Sequence, residues 1–120
     1  MKGSIVVLEK DPRLALSLAG SLRREFSCVQ VTTSEEDLRA KIRRDSSGAV
    51  VFSIESGRLS DVSILHAEFP LLPIICTHRV PDEDMWMAAL GAGATDVCAV
   101  NDVRGILDAV LRSVEALKAA

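Results

Sequence analysis

The residues of this chain that could do chemistry are few, and most stand at the ends of apolar runs. Glu9, Lys10 and Asp11 follow the first run, Ser53 and Glu55 close the third, Thr77 and His78 the fourth, and Val100 and Asn101 the fifth. Ser53 invites comparison with a nucleophile. A serine hydrolase needs a base beside the serine, an acid to orient that base and an oxyanion hole. His66 and His78 are the only histidines, and Phe52-Ser53-Ile54 lacks the GxSxG elbow. No catalytic residue is therefore assigned, and the chain is not read as an enzyme. Nucleotide and flavin sites need a glycine- or hydroxyl-rich loop whose amides cradle phosphate. Glu9-Lys10-Asp11-Pro12-Arg13 is acidic, proline-bearing and glycine-free, so no cofactor is expected. Lys10, Arg13 and Thr77 leave an anion- or ligand-sensing site as an alternative. Cys28, Cys76 and Cys98 are odd in number and form no CxxC or Cys/His zinc spacing. They read as reduced core thiols, and no metal site is assigned.

The elements that position these residues follow from hydrophobic patterning. Ser4 to Leu8 is a short continuous apolar run, the mark of a strand buried on both faces. Cys28 to Thr32, Ala49 to Ile54, Pro73 to Thr77 and Asp96 to Val100 read as four more strands. Between them lie helical patterns. Asp11-Pro12 opens the first, with Leu14, Leu18 and Leu22 at spacing four. Ser34 with Asp37 three residues on opens the second, which buries Leu38 and Ile42. Leu59, Val62 and Leu65 mark a short third helix ended by Pro70. Pro81-Asp82 starts the fourth, which runs to Gly91-Ala92-Gly93. Asn101 or Asp102 caps the last, whose stripe is Val103, Ile106, Leu107, Val110, Leu111, Val114 and Leu117. Five strand–helix units predict an α/β fold: a five-stranded parallel sheet of the flavodoxin-like (βα)5 type, strand order 2-1-3-4-5, with helices on both faces. Sites in such sheets form beyond the carboxyl ends of the strands.

Composition sets the remaining bounds. The 120 residues suffice for one domain, 1–120, with one sizeable core. Hydrophobic residues are 48% and charged ones 26%, with three Phe, one Trp and no Tyr, so the core is aliphatic. The net charge of −3 gives no global attraction to nucleic acid. The basic groups Arg23-Arg24 and Lys41, Arg43, Arg44 read as solvated helix ends favoured by the helix dipole. No signal peptide or membrane-length apolar run is visible, so a cytoplasmic protein without membrane contact is expected.

Several segments, in order, resemble one family. Ala89-Leu90-Gly91-Ala92-Gly93-Ala94-Thr95-Asp96 is similar to the Ala-Leu-x-Ala-Gly-Ala-x-Asp segment of bacterial response-regulator receiver domains. Asp11-Pro12 after the first strand and Pro73-Ile74-Ile75-Cys76-Thr77 match the same family. The resemblance implies a phosphoacceptor aspartate at the end of strand 3, an acidic pair at the end of strand 1 that helps hold magnesium, a hydroxyl ending strand 4, and a Lys-Pro ending strand 5. Those positions fall on Ser53, on Glu9 and Lys10, on Thr77, and on Val100 with Asn101. The family's aromatic early in strand 5 becomes Val97.

These changes agree with one another. Magnesium wants carboxylate oxygens, and an ammonium at position 10 repels it. A serine without a base is a poor nucleophile and cannot form an acyl phosphate. Val100 supplies no counter-charge. The expectation is a pseudo-receiver in two-component or phosphorelay-type signalling, acting through protein contacts. A true receiver with a non-standard phosphoacceptor is the other reading the resemblance leaves. Lys10 has two possible placements: paired with Glu9 or Glu55 as a built-in cation, or extended into solvent. The resemblance also directs attention to the face of helix 4, strand 5 and helix 5 as an output or homodimer surface. Successive helical side chains diverge by about 100°, so Met85, Trp86 and Met87 cannot all face inward. Met85 or Trp86 is the expected inner one, and at least one of the three is exposed. Expected partners are a signalling protein or an output domain to which Leu117-Lys118-Ala119-Ala120 leads. In that reading the chain is the amino-terminal part of a longer regulator.

Overall fold

Strands and helices alternate from end to end. The computed structural model describes residues 3–45, 47–80 and 82–119. The order is β1 (Ser4–Leu8), α1 (Pro12–Leu22), β2 (Cys28–Thr32), α2 (Glu35–Asp45), β3 (Ala49–Ser53), α3 (Leu59–Glu68), β4 (Ile74–His78), α4 (Glu83–Ala92), β5 (Asp96–Ala99) and α5 (Val103–Ala119). The five strands form one sheet in the order β2-β1-β3-β4-β5, and every pair is parallel. The architecture and strand order expected from the sequence are those observed.

Alternation along each strand divides the core in two. Ile5, Val7, Val29, Val51 and Ile75 pack with Leu18, Ala19 and Leu22 of α1 and Ile106, Ala109 and Val110 of α5. Val6, Leu8, Val50, Phe52, Ile74 and Cys76 pack on the other face with Leu38 and Ile42 of α2, Val62 and Leu65 of α3, and Ala89 of α4. The middles of β1, β3 and β4 are therefore continuous apolar runs, because both faces are covered.

Caps fix the helix starts. Asp11 accepts from the Arg13 amide at 3.0 Å, Ser34 from Asp37 at 3.1 Å, Asp82 from Met85 at 2.8 Å and Asp102 from Gly105 at 3.0 Å. Asp102, rather than Asn101, is thus the cap of α5. Pro81 lies outside the described residues. Gly93 ends α4 with φ 115°, a left-handed conformation that favours glycine.

The differences from expectation are local. β4 is shifted by one residue, because Pro73 has no N–H to give the ladder. β5 stops at Ala99, although the Val100 amide still donates to His78 O at 2.9 Å before the turn into α5. Ile54 falls just outside β3. Leu117 is 41% exposed instead of completing the stripe. At 17 residues, α5 is about 25 Å long and outruns strands of about 17 Å. All three cysteines are free, but only Cys76 is fully buried. No described helix is long and apolar enough to cross a membrane.

Candidate functional site at the strand ends

Register brings the candidate residues into one row. Leu8 stands opposite Phe52, so Glu9, the next residue, reaches the level of Ser53. Ser53 in turn pairs with Thr77, and Thr77 with Cys98. Strand parity places Ser53 and Thr77 on the α1–α5 side of the sheet, with Val51 and Ile75. Val100 lies in the turn just after β5. Glu9, Ser53 and Thr77 are all buried, and Ser53 is only 1% exposed.

Ser56, which the sequence does not mark as a site residue, organises the site. Its hydroxyl accepts from the Lys10 amide at 2.9 Å and donates to Glu9 Oε2 at 3.3 Å. Glu9 Oε2 also accepts from the Asp11 amide at 3.1 Å. The Ser56 amide donates to Ser53 Oγ at 3.2 Å. Glu9 Oε2 is therefore held by two protein donors. Gly57, next in the loop, packs against Phe52: a Cβ there would lie 2.5 Å from Phe52 Cζ.

Lys10 takes the second of its two placements. Its side chain is exposed, and among the described residues no carboxylate lies within 4.0 Å of its Nζ. It does not pair with Glu9 or Glu55. It lines a groove beside Pro12 and Leu16 of α1 instead.

His78 faces away from Ser53, because parity puts Thr77 on the Ser53 side and His78 on the other. Its Nε2 lies 3.3 Å from Glu55 Oε2, and its Nδ1 accepts from the Val80 amide at 3.1 Å. Glu55 Oε2 also accepts from the Arg79 amide at 2.8 Å. These bonds tie the β3–α3 loop to the β4–α4 loop. They also remove His78 as a base for Ser53. Lys10 and Arg13 are exposed whereas Thr77 is buried.

The receiver family holds magnesium at this corner, and these residues fit it poorly. Glu9 is the only carboxylate in the row and is already hydrogen-bonded twice. Among the described residues no three His, Cys, Asp or Glu side chains gather for a metal ion. The row offers hydroxyls and one engaged carboxylate where such an ion wants several free oxygens.

On the sheet's other margin, α4 presents the Met-Trp-Met run. Met85 is half-buried and is the inner one, while Trp86 is 43% and Met87 60% exposed. Trp86 stands over a depression shared with Asp82, Glu83 and Val97 of β5.

Neither a family model nor a curated protein matches the sequence. Solved structures match it throughout. The receiver domain of a two-component response regulator from Bacteroides fragilis superposes with TM-score 0.86 at 18% identity, over 95% of this chain and 98% of that one. A response regulator from Thermotoga maritima gives TM-score 0.86 at 18% identity, over 96% and 99%. NtrX from Brucella abortus, in complex with ADP, gives TM-score 0.87 at 18% identity over 98% of this chain, which spans 27% of that longer protein. The fold of this chain is the CheY-like fold of response-regulator receiver domains.

Proposed function

We propose that the chain is a receiver-like signalling module that has given up aspartyl phosphorylation and works through protein contacts. The observation that carries this reading is the row Glu9–Ser53–Thr77, in which the acceptor position is a buried serine and the remaining acid is bound by Ser56 and the Asp11 amide. A buried, neutral hydroxyl with no base at hand is a poor phosphoryl acceptor. The tie from Glu55 to His78 and the Arg79 amide supports a module held in one arrangement without a phosphoryl group. Its partner is an output domain of a longer regulator or a separate signalling protein, in the cytoplasm. The similarity to the much longer NtrX supports the former. Trp86 and Met87 on the margin of α4 and β5 supply the contact surface, since exposed Trp and Met are typical of interface cores. That face also suits a homodimer.

The test is an amide NMR titration with magnesium and beryllofluoride. No saturable, magnesium-dependent shift around Ser53 and Thr77 is expected. Such shifts would overturn the reading in favour of a true receiver with a non-standard acceptor. Self-association of Trp86→Ala against the parent chain tests the homodimer. Equal association, or none in the parent, removes the homodimer and leaves the hetero-partner.

A further inference from the structure

β2 is an edge of the sheet, because it pairs with β1 alone. The ladder shows which of its backbone groups face outward. Thr32 O accepts from the Glu9 amide at 3.1 Å, so the Thr32 main chain is turned toward β1. Backbone groups alternate sides along a strand, and those of Val29 and Val31 therefore face the open edge. Arg23 Nη2 donates to Val29 O at 3.0 Å and closes one half of that edge, a common device against uncontrolled strand pairing. Among the described residues nothing comparable covers Val31.

A groove of about 410 Å³ runs beside this open half. Its walls are Ala15, Leu16 and Ala19 of α1 and Val31 of β2. Leu16 is 73% exposed, beside the buried Ala15 and one turn before the buried Ala19. Lys10 and Arg23 stand at opposite ends of α1, and both line the groove. Its one acid, Glu9, is engaged by Ser56 and the Asp11 amide. An open main-chain edge, an apolar slot and two flanking cations thus occur together.

We propose that this edge accepts a short extended segment of a partner protein, an apolar residue flanked by acidic ones. Its main chain adds to β2 at Val31, its apolar side chain enters between Leu16 and Val31, and its carboxylates meet Lys10 and Arg23. Strand addition of this kind draws affinity from main-chain bonds and selectivity from the side-chain slot. Arg23 limits the contact to the Val31–Thr33 half, which suits a transient partner. The surface is separate from the α4–β5 face and does not depend on how Ser53 is read.

The probe is the blocked peptide acetyl-Asp-Val-Ile-Val-Asp-amide, titrated into the full chain and followed by amide NMR. Saturable shifts are expected at Leu16, Val31 and Thr33, with those around Trp86 unmoved. The same peptide methylated on the Ile nitrogen loses a main-chain donor and should bind about tenfold more weakly. Exchanging both Asp for Lys in the peptide, or Lys10→Glu in the protein, should weaken binding several-fold. Lys10 is exposed, so the variant folds, and unchanged shift dispersion checks this. Decanoate serves as a probe of simple amphiphile binding. The proposal is overturned if the parent peptide gives no saturable shift. It is equally overturned if the methylated peptide binds as well as the parent, or if decanoate alone reproduces the full pattern.

Discussion

The hydroxyl of Ser56 bridges Glu9 Oε2 at 3.3 Å and the Lys10 amide at 2.9 Å. One small side chain thereby satisfies the buried acid at the strand ends and pins the loop after β3 to the loop after β1. Ser56→Ala removes both bonds and leaves Glu9 with one protein donor. The expected cost is about 1–2 kcal/mol, read as a lower urea midpoint with unchanged slope. An unchanged midpoint would mean that water replaces the hydroxyl without loss.

The second prediction concerns what the row lacks. Millimolar magnesium should leave the thermal midpoint of the parent unchanged. The double variant Lys10→Asp, Ser53→Asp supplies two carboxylates beside Glu9 and should show a midpoint that rises with magnesium, since a ligand that binds only the folded state stabilises it. A parent that gains as much as the double variant would show that Glu9 and the hydroxyls suffice.

The third prediction follows from a contact between α2 and α3. Glu35 has its pKa raised, first by desolvation and then by its hydrogen bond and charge contact with Asp61, with Arg58 and Arg39 opposing. A carboxyl that holds its proton more tightly when folded contributes stability that is full below its unfolded pKa and lost as pH rises through the folded one. At neutral pH the two carboxylates therefore repel. Glu35→Gln keeps a hydrogen-bond donor and should stabilise by about 0.5 kcal/mol at pH 7, a size typical of half-exposed charges. The gain should vanish in acid. Urea melts across that range check the sign; a gain that persists in acid would point away from Asp61.

Two glycines should respond in opposite directions. Gly93 has φ 115°, and a Cβ on it would lie 2.5 Å from Cγ of His66. Gly93→Ala thus meets both backbone strain and a clash at the α3–α4 contact, with an expected loss of about 2–3 kcal/mol. Gly20 lies within α1 with nothing within 4 Å of a Cβ, so Gly20→Ala should gain about 0.5–1 kcal/mol. Thermal unfolding of the pair separates the two effects.

Thiol chemistry gives the fifth. Burial pushes the Cys76 thiol up to about 12 and, with Asp96 nearby, the Cys98 thiol to about 11. The thiolate is the reactive form. In the folded protein at pH 8 Cys76 should resist iodoacetamide and Cys98 should react slowly, with both modified rapidly in denaturant. Mass spectrometry of timed digests reads the order.

Much of this architecture is visible in the order of residues. Continuous apolar strands, Asp and Ser caps and the glycine after α4 each dictate a local choice, and those choices agree with one fold. Ser53, Glu9 and Thr77 are legible as neighbours because a parallel sheet brings the carboxyl ends of its strands to one side. Ser56 is not, since a serine in a turn becomes informative only when the turn folds back over β1. The direction of Lys10 is equally hidden, because a long side chain at a strand end can reach either a carboxylate or water. Leu16 carries no signal in the sequence, because its exposure is set by where α1 lies over the edge of the sheet. Leu117 was misread because periodicity reports which side of a helix is apolar, not whether anything lies beneath its last turn.

The sheet also has a consequence for how this chain can change. Val50 and Val51 are neighbours in sequence, yet Val50 packs with α2 and α3 and Val51 with α1 and α5. Losses from trimming well-separated residues of the two compartments should roughly sum, because the two clusters share no side chain. Val51 and Ile106, distant in sequence but in one compartment, can compensate each other. The layer thus acts as a partition that lets one half of the protein be refitted while the other stays unchanged. The half that carries α4 and Trp86 can then follow a changing partner without disturbing the half that holds the β2 edge against α1.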